Sequence, residues 1–251
     1  MTLGGDFSGI VKKVGEGVSD FKNDDEVYGQ ASVLGGGSGS FAEFALANAN
    51  TIAHKPKRVN YVEAAALPLA GVSALQGLVD HIRLSNRQKI LIHGGAGGIG
   101  TFAIQIAKYL GAYVATTVSA NDEEYVKKLG ADEVINYKTQ HFEDLLQDYD
   151  AVLDTVGGDT YEKSFKILKK GGIIVSMLEQ PRQDLIEKHG VKAIAEYAQV
   201  TNEQLSKLSE LVDKGIIRVH IDKTLPLEQA TEALTYLQTQ HVKGKVVLKI
   251  K

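Results

Sequence analysis

Two hydrophobic patterns divide the chain. Up to about residue 55, apolar and polar residues alternate over short stretches between glycines and acidic residues, as in FSGIVKKVG, VYGQ, FAEFALA and NTIAHKP. This pattern predicts short strands and turns, as in a small β-barrel. From about Tyr61 the segment VEAAALPLAGVSALQGLVDHI has helical spacing and strong helix formers, and it predicts a helix.

Beyond that helix, compact apolar stretches alternate with amphipathic ones. The predicted strands cover residues 89–93, 113–118, 133–137, 150–156, 173–177 and 191–199. The predicted helices cover residues 98–111, 122–130, 141–147 and 161–172, the last ending at Gly171. Strands separated by single helices imply βαβ crossovers, hence an α/β fold with a doubly wound parallel sheet of the Rossmann type. The C-terminal part predicts helices at 202–215 and 228–240 and a strand at 245–250.

Composition narrows the classes of function. The chain has 251 residues, of which 43% are hydrophobic, and a net charge of −3 from 28 basic and 31 acidic residues. These values are typical of a globular protein and give no electrostatic basis for nucleic-acid binding. No stretch of about 18 apolar residues is present to span a membrane, and the N-terminus lacks a signal-peptide pattern.

The chain contains no cysteine. This excludes disulfides, cysteine-ligated zinc, iron–sulfur clusters and thiol nucleophiles, and it makes the cytoplasm the predicted location. There is no H-E-x-x-H motif and the seven histidines are scattered, so no metal site is predicted. Each histidine is expected to be a surface or hydrogen-bonded residue rather than a ligand.

The strand at 89–93 runs directly into GGAGGIG, in which Gly95, Gly97 and Gly100 form G-x-G-x-x-G. Between a strand and a helix, this motif predicts a dinucleotide-binding turn. The first glycine allows the tight turn, the second lets the backbone approach a pyrophosphate, and the third lets the helix pack close to the strand. Free N–H groups at the helix N-terminus would then bind the anion. The alternative is a tight strand–helix turn that binds nothing.

The end of the second predicted strand bears on the choice of dinucleotide. An NAD site usually has an acid there to hold the ribose diol, whereas this chain reads ATTVSAN, with Asp122 as the first acid. Small hydroxyl residues leave room for a 2′-phosphate, which favours NADPH. Because the nearest lysines, Lys127 and Lys128, are in the following helix, NADH stays possible.

Several segments, taken in order, carry a resemblance to a known family. They are GGDFSGIVKKVG, DEVYG, GSFAEFA, EAAALPLAGVSALQ, HGGAGGIG, LGADEVINY, VLDTVGG, LKKGGIIVS and KGKVVLKI. Together they resemble the zinc-independent quinone oxidoreductase branch of the medium-chain dehydrogenase/reductase superfamily, the zeta-crystallin-like proteins. The resemblance implies a GroES-like catalytic domain, here residues 1–66 and 216–251, around a Rossmann domain at 67–215.

The resemblance also implies a set of cofactor-binding residues. The glycine turn would hold the pyrophosphate through Gly95, Gly97, Gly98, Ile99 and Gly100. Ser119 and Tyr137 would lie beside the adenosine 2′-phosphate, and Thr155 and Val156 would line the ribose. Val175, Ser176 and Ser73 would lie near the nicotinamide, and Lys245 near the cofactor phosphates.

The activity implied is NADPH-dependent hydride transfer to quinones or to activated enones and carbonyls, in a homodimer paired at the Rossmann sheet edge formed by residues 191–199. A quinone accepts hydride readily and solvent can supply the proton, so no catalytic residue is assigned. Two alternatives remain open. One is an enoyl-thioester reductase of the same superfamily, and the other is a nucleotide-binding protein without turnover.

The sequence departs from the family in two places. Asp122 stands where relatives often have a lysine for the 2′-phosphate, which again leaves NADH possible. The family's chains begin well before the GGDFSG segment, so the N-terminal barrel strands are expected to be missing here. The barrel is therefore expected to be incomplete, with an unpaired edge and an open cleft.

Overall fold

The computed structural model describes residues 2–250, which form two compact units. One unit contains the residues up to Val72 and those from Gln199 onward, and the other is Ser73–Ala198. The domain boundaries after residues 66 and 215 stay a prediction. The outer ends of the predicted segments, residues 1 and 251, lie outside the described residues.

The elements are named here in chain order. The strands of the described residues are β1 (Asp6–Ile10), β2 (Glu26–Gln30), β3 (Ile52–His54), β4 (Lys89–His93), β5 (Tyr113–Val118), β6 (Glu133–Asn136), β7 (Tyr149–Asp154), β8 (Leu168–Ser176), β9 (Lys192–Ala195), β10 (Ile221–Pro226) and β11 (Lys245–Lys249). The helices are α1 (Tyr61–Ala65), α2 (Pro68–Leu75), α3 (Gly98–Tyr109), α4 (Glu123–Lys128), α5 (Phe142–Leu145), α6 (Asp159–Ser164), α7 (Gln183–His189), α8 (Asn202–Asp213) and α9 (Ala230–Thr239). A π-helix spans Gln76–His81, and a short 3-10 turn spans Ala120–Asp122.

The unit Ser73–Ala198 is built on a six-stranded sheet in the order β6-β5-β4-β7-β8-β9, with every neighbouring pair parallel. This confirms the predicted doubly wound sheet. Strands covered on both faces read as continuous apolar runs, and Ile90, Leu91 and Ile92 of β4 are fully buried. The strand order reverses between β4 and β7, and such a switch point is where ligands bind in open parallel sheets.

The predicted helix at 161–172 is wrong in its second half. The helix α6 ends at Ser164, and the residues from Leu168 belong to β8, where Leu168 pairs with Tyr149 of β7. Gly171 has a φ of +78°, which an α-helix does not accommodate. Leu168 also lies in a buried apolar cluster of this unit, so burial favours the strand over local helix propensity.

Two more predictions in this unit change. The strand predicted at 191–199 ends at Ala195. The next residue, Glu196, donates its N–H to the Ser176 carbonyl at 2.8 Å. The single helix predicted over VEAAALPLAGVSALQGLVDHI is divided into α1, α2 and the π-helix. Pro68 is responsible for the first division, because its nitrogen has no hydrogen to donate and it therefore starts a new helix. The helix α7 was not predicted.

The other unit contains two small sheets. β1, β2 and β3 form an antiparallel sheet, and β10 pairs with β11 in parallel. The strand predicted at FAEFALA is absent, since residues 41–44 form bends and residues 45–47 have no regular structure. Phe44 and Leu46 are exposed. The helix α8 belongs to this unit, where the Tyr28 hydroxyl donates to the Leu205 carbonyl at 2.6 Å. Among the helices of residues 2–250, none has the length and apolar character that crossing a membrane requires.

Candidate functional site

The turn between β4 and α3 is held by backbone hydrogen bonds, one within the glycine motif and one to β5. The Gly95 N–H donates to the Thr117 carbonyl at 3.2 Å, and the Gly97 N–H donates to the Gly94 carbonyl at 3.0 Å. Gly94 has a φ of +68°, in the left-handed region that favours glycine. The chain therefore reverses tightly from the end of β4 into the first turn of α3.

Glycine is required in this turn for two different reasons. A Cβ at Gly95 would lie 2.1 Å from Thr116 Oγ1, and one at Gly100 would lie 2.2 Å from the Gly94 carbonyl oxygen, so packing excludes a side chain at both. A Cβ at Gly97 would lie 3.3 Å from its nearest neighbour, the Gly94 carbonyl oxygen, so a small shift of that oxygen would accommodate a methyl group. The space beside Gly97 is thus left open on the ligand side, as the close approach of a pyrophosphate requires.

The first turn of α3 suits an anion. Gly97 is the residue before the helix, and it offers no side chain to cap the free N–H groups of the first turn. That turn carries no acidic residue, and Gly98 and Ile99 are its half-buried first residues. The free N–H groups and the positive end of the helix dipole therefore face the side that Gly97 leaves open.

A buried polar cluster around His93, the last residue of β4, lies next to the glycine turn. His93 is fully buried, with its Nδ1 3.1 Å from Thr117 Oγ1 and its Nε2 2.9 Å from Ser164 Oγ. Burial lowers the pKa of His93 to about 4, although the charges of Asp154 and Glu143 act in the opposite direction. His93 is thus a neutral, hydrogen-bonded residue, as predicted for the histidines of this chain.

The His93 cluster predicts acid sensitivity. The pKa of His93 is near 6.5 in the unfolded chain and about 4 in the folded protein, so the unfolded state binds the extra proton first. Its contribution to stability is complete above pH 6.5, and about 3 kcal/mol of it is lost as the pH falls to 4. We expect His93→Gln to lack this dependence when urea unfolding is measured at pH 4.5 and 7. Identical pH profiles for the variant and the wild type would contradict the assignment.

The carboxyl ends of β7 and β8 are joined by a second buried network. Asp154 is fully buried and accepts hydrogen bonds from Ser176 Oγ at 2.7 Å and from the Val156 and Gly157 N–H groups at 3.0 Å each. The Thr155 hydroxyl donates to the His93 carbonyl at 2.8 Å, which ties this loop to the glycine turn. Thr155 and Val156 therefore lie beside the turn, with Val156 exposed. Their contact with the ribose stays a prediction.

The predicted nicotinamide residues are all buried. Val175 and Ser176 are fully buried in β8, and Ser73 is buried in α2. Lys245 lies in the other unit, at the start of β11. There burial raises the pKa of Asp6, and the charge of Lys245 partly offsets this effect. The roles of these four residues stay predictions.

The ends of β5 and β6 bring Ser119 and Tyr137 to the same edge of the sheet. The Ser119 hydroxyl donates to Asp122 Oδ2 at 2.7 Å, and both residues are buried. Tyr137 is half-exposed, and its N–H donates to the Val118 carbonyl at 3.2 Å. The fully buried Asp122 carboxylate is directed into the protein, towards Ser119, rather than presented at the strand tip.

Glu196 is not among the site residues predicted from the sequence. This residue follows β9, is only 4% exposed, and has no hydrogen-bond partner at either carboxylate oxygen among the described residues. Burial, and then the negative charge of Asp80, raises its pKa to about 8. The signal available in the sequence was an acid directly after the last apolar residue of a parallel strand. Within residues 2–250, no group of three or more histidine or acidic side chains is arranged to hold a metal ion.

Comparison with known proteins places the chain in a family. Residues 1–57 match the alcohol dehydrogenase GroES-like domain, and residues 129–248 match the zinc-binding dehydrogenase domain. The chloroplastic NADPH-dependent alkenal/one oxidoreductase of Arabidopsis thaliana is 35% identical, over 98% of this chain and 63% of its own length. The mitochondrial NAD(P)H oxidoreductase RTN4IP1 of Mus musculus is 34% identical, over 100% of this chain and 70% of its own length.

Solved structures agree with the sequence matches. The quinone oxidoreductase from Coxiella burnetii has a TM-score of 0.89 and 35% identity, over 99% of this chain and 79% of that one. The Escherichia coli quinone oxidoreductase in complex with NADPH has a TM-score of 0.87 and 28% identity, over 98% and 82%. The chain spans slightly less than two thirds of the length of the Arabidopsis thaliana relative and of a 2-methylene-furan-3-one reductase from Solanum lycopersicum. Its fold and its identity to these proteins show that the chain belongs to the medium-chain dehydrogenase/reductase superfamily.

Proposed function

We propose that the protein transfers hydride from NADPH to quinones or other activated enones and carbonyls, without zinc. The observation that carries the proposal is the open space at Gly97, in front of the free N–H groups of α3. Relatives named as an NADPH-dependent alkenal/one oxidoreductase, a 2-methylene-furan-3-one reductase and quinone oxidoreductases support the substrate class.

The chain's own residues bind and orient the cofactor in this proposal. Gly97, Gly98 and Ile99 hold the pyrophosphate, and Gly95 and Gly100 give the turn its shape. Ser119 and Tyr137 lie beside the adenosine end, and Thr155 and Val156 line the ribose. Ser73, Val175 and Ser176 lie near the nicotinamide end. Lys245 contributes positive charge near the phosphates. When bound, NADPH supplies the hydride. The protein contributes orientation and exclusion of water.

The preference for NADPH over NADH rests on Asp122. A carboxylate that holds a ribose diol must present its oxygens at the strand tip. The Asp122 side chain is fully buried and accepts the Ser119 hydroxyl instead, so it cannot serve the diol in this arrangement. Because the Asp122 carboxylate is buried, a bound 2′-phosphate would not contact it directly.

Zinc is not part of the proposed chemistry because the chain has no cysteine to hold it as the zinc enzymes of this superfamily do. A quinone or an activated enone accepts hydride without a Lewis acid, and solvent supplies the proton. The proposal therefore assigns no side chain as a proton donor.

The proposed activity predicts NADPH oxidation, followed at 340 nm, with 9,10-phenanthrenequinone or a short 2-alkenal as acceptor. We expect a higher kcat/KM with NADPH than with NADH, and little turnover of a 2-enoyl thioester. Tight NADPH binding without oxidation by any acceptor would instead identify a nucleotide-binding protein without turnover. Faster turnover of the thioester than of the quinone would favour an enoyl-thioester reductase.

We also propose a homodimer formed at the free edge of β9. The strand is the last of the six-stranded sheet, and Tyr197, just beyond it, is exposed. An unpaired strand edge offers N–H and carbonyl groups to a second copy. Light scattering is expected to give twice the chain mass of 27.1 kDa, and a monomeric mass would defeat the proposal.

The cytoplasmic location is a further proposal, based on the complete lack of cysteine. Relatives named as chloroplastic and mitochondrial show that the superfamily occupies several compartments. Fractionation of the producing cells, followed by immunodetection, tests it, and recovery outside the cytoplasmic fraction would overturn it.

A further inference from the structure

The Asp154 carboxylate, at the end of β7, has no role in the function proposed above. It is fully buried, and within residues 2–250 no lysine or arginine forms an ion pair with it. Taking a carboxylate out of water is costly unless hydrogen bonds replace the lost solvent. Here they come from the Ser176 hydroxyl and from the Val156 and Gly157 N–H groups. The two N–H groups belong to the loop after β7, so this carboxylate determines which way the peptide groups of that loop point.

The Ser176 hydroxyl is fully occupied by the same network. It donates to Asp154 Oδ2 at 2.7 Å, and its oxygen accepts the Leu178 N–H at 3.2 Å and the Glu179 N–H at 3.0 Å. A serine hydroxyl has one hydrogen and two lone pairs, so no hydrogen-bonding capacity remains for a ligand. Glu179 closes the network from the other end, because its Oε1 accepts the Gly158 N–H at 2.8 Å. Ser176 thus joins the segment after β8 to the loop after β7.

The peptide groups of the loop after β7 turn their acceptors away from Asp154. In a trans peptide the carbonyl points opposite to the N–H that follows it, and the described residues have no cis peptide. Since the Val156 and Gly157 N–H groups face the buried carboxylate, the Thr155 and Val156 carbonyls face the opposite side. Neither carbonyl accepts a backbone hydrogen bond within residues 2–250. Thr155 is half-buried and Val156 is exposed, so these two acceptors lie towards the surface of the loop.

The loop borders the path of the second half of the cofactor. The strand order reverses between β4 and β7, and the pyrophosphate site follows β4. The proposed adenosine residues follow β5 and β6, so the other half of the dinucleotide extends over the carboxyl ends of β7 and β8. The Thr155 hydroxyl donates to the His93 carbonyl at 2.8 Å, which holds the loop beside the glycine turn. The first group beyond the pyrophosphate in NADPH is a ribose with two free hydroxyl groups, and these are hydrogen-bond donors.

We propose that Asp154 and Ser176 are positioning residues for the nicotinamide-side ribose, an inference that rests on the proposed function. Because Asp154 binds the N–H groups of the loop, the Thr155 and Val156 carbonyls are presented as acceptors, and the ribose hydroxyls donate to them. The ribose held in this way sets the orientation of the ring that carries the hydride. The hydroxyls of Thr155 and Ser176 bind protein groups, and the backbone of the loop provides the hydrogen bonds to the cofactor.

Isothermal titration calorimetry of the full chain with three ligands tests the inference. 2′,5′-ADP lacks the nicotinamide-side ribose, 2′-phospho-ADP-ribose carries it, and NADPH carries both this ribose and the ring. Asp154→Asn keeps the side-chain volume, but in either orientation its NH2 group faces N–H donors or a Ser176 hydroxyl whose lone pairs are in use, so the loop must shift. We expect about tenfold weaker binding of both ligands that carry the ribose, and unchanged binding of 2′,5′-ADP.

Asp150→Asn is the matched control, because Asp150 lies near the amino end of the same strand, accepts the Lys89 N–H at 2.8 Å and pairs with Lys169. It should lower stability in urea unfolding but leave all three affinities within about twofold of the wild type. Ser176→Ala is a second test, since it removes one donor from Asp154 without placing a new donor there. We expect about threefold weaker binding of both ligands that carry the ribose, again with 2′,5′-ADP unchanged.

The outcomes distinguish the two proposals. If none of the three ligands binds the wild type, the proposed function fails. If the wild type binds them, but Asp154→Asn weakens all three equally or none, the inference about the ribose is overturned. A loss confined to NADPH in either variant would also overturn it, because the contact would then lie at the nicotinamide ring. Ser176→Ala preserves the Asp154 carboxylate, so it decides the matter even if Asp154→Asn does not fold.

Discussion

Gly100→Ala is expected to abolish NADPH binding and to lower the free energy of unfolding by about 3 kcal/mol. A Cβ at this position would lie 2.2 Å from the Gly94 carbonyl oxygen and 2.7 Å from the Gly95 Cα. Both atoms belong to the backbone of the turn, so the methyl group fits only if α3 moves away from β4. Urea unfolding monitored by circular dichroism and titration with NADPH measure the two effects.

Gly97→Ala is the matched control for the turn, because a Cβ there would meet only the Gly94 carbonyl oxygen, at 3.3 Å. Its φ of −74° is also open to alanine. We expect stability within about 0.5 kcal/mol of the wild type, with a loss of NADPH affinity of about a hundredfold from steric exclusion of the pyrophosphate. Unchanged affinity in Gly97→Ala would show that no ligand approaches this backbone.

Glu196 is expected to make the protein less stable as the pH rises from 4.5 to 8. The pKa of this acid is near 4.5 in the unfolded chain and about 8 in the folded protein. The folded state therefore holds a proton that the unfolded state has already released, and stability falls across this window. Glu196→Gln removes the cost of the buried charge. At pH 7.5 and without cofactor we expect the variant to be about 4 kcal/mol more stable than the wild type.

The difference between Glu196→Gln and the wild type is the quantity to measure, since subtraction cancels His93 and the other titrating groups. It should shrink towards zero as the pH falls to 4.5 and below, where the wild-type acid becomes protonated in the unfolded state as well. Glu187→Gln should give no such trend, because Glu187 is exposed. A difference that stays constant from pH 4.5 to 8 would place the pKa of Glu196 in its ordinary range.

Features set by neighbouring residues were predictable. The apolar runs of β4, β5 and β7 and the glycine motif after β4 are local in the chain, and they were sufficient to predict a parallel sheet with a dinucleotide turn. Where the local sequence is compatible with both helix and strand, burial in the core decides which of the two forms. The segment from Leu168 reads as helix, yet it becomes part of β8 because Leu168 is covered by the core and paired with Tyr149.

The sequence by itself determined the α/β architecture, the glycine turn and the absence of thiol chemistry, because each follows from residue types at short spacing. Only the tertiary structure decided what the polar residues around that turn do. It pairs Ser119 with Asp122 in a buried position, and it brings Glu196 against Gly77, far away in the chain. Burial and partner choice depend on contacts between distant segments, and those contacts set the pKa of a carboxyl group that the sequence alone leaves ordinary.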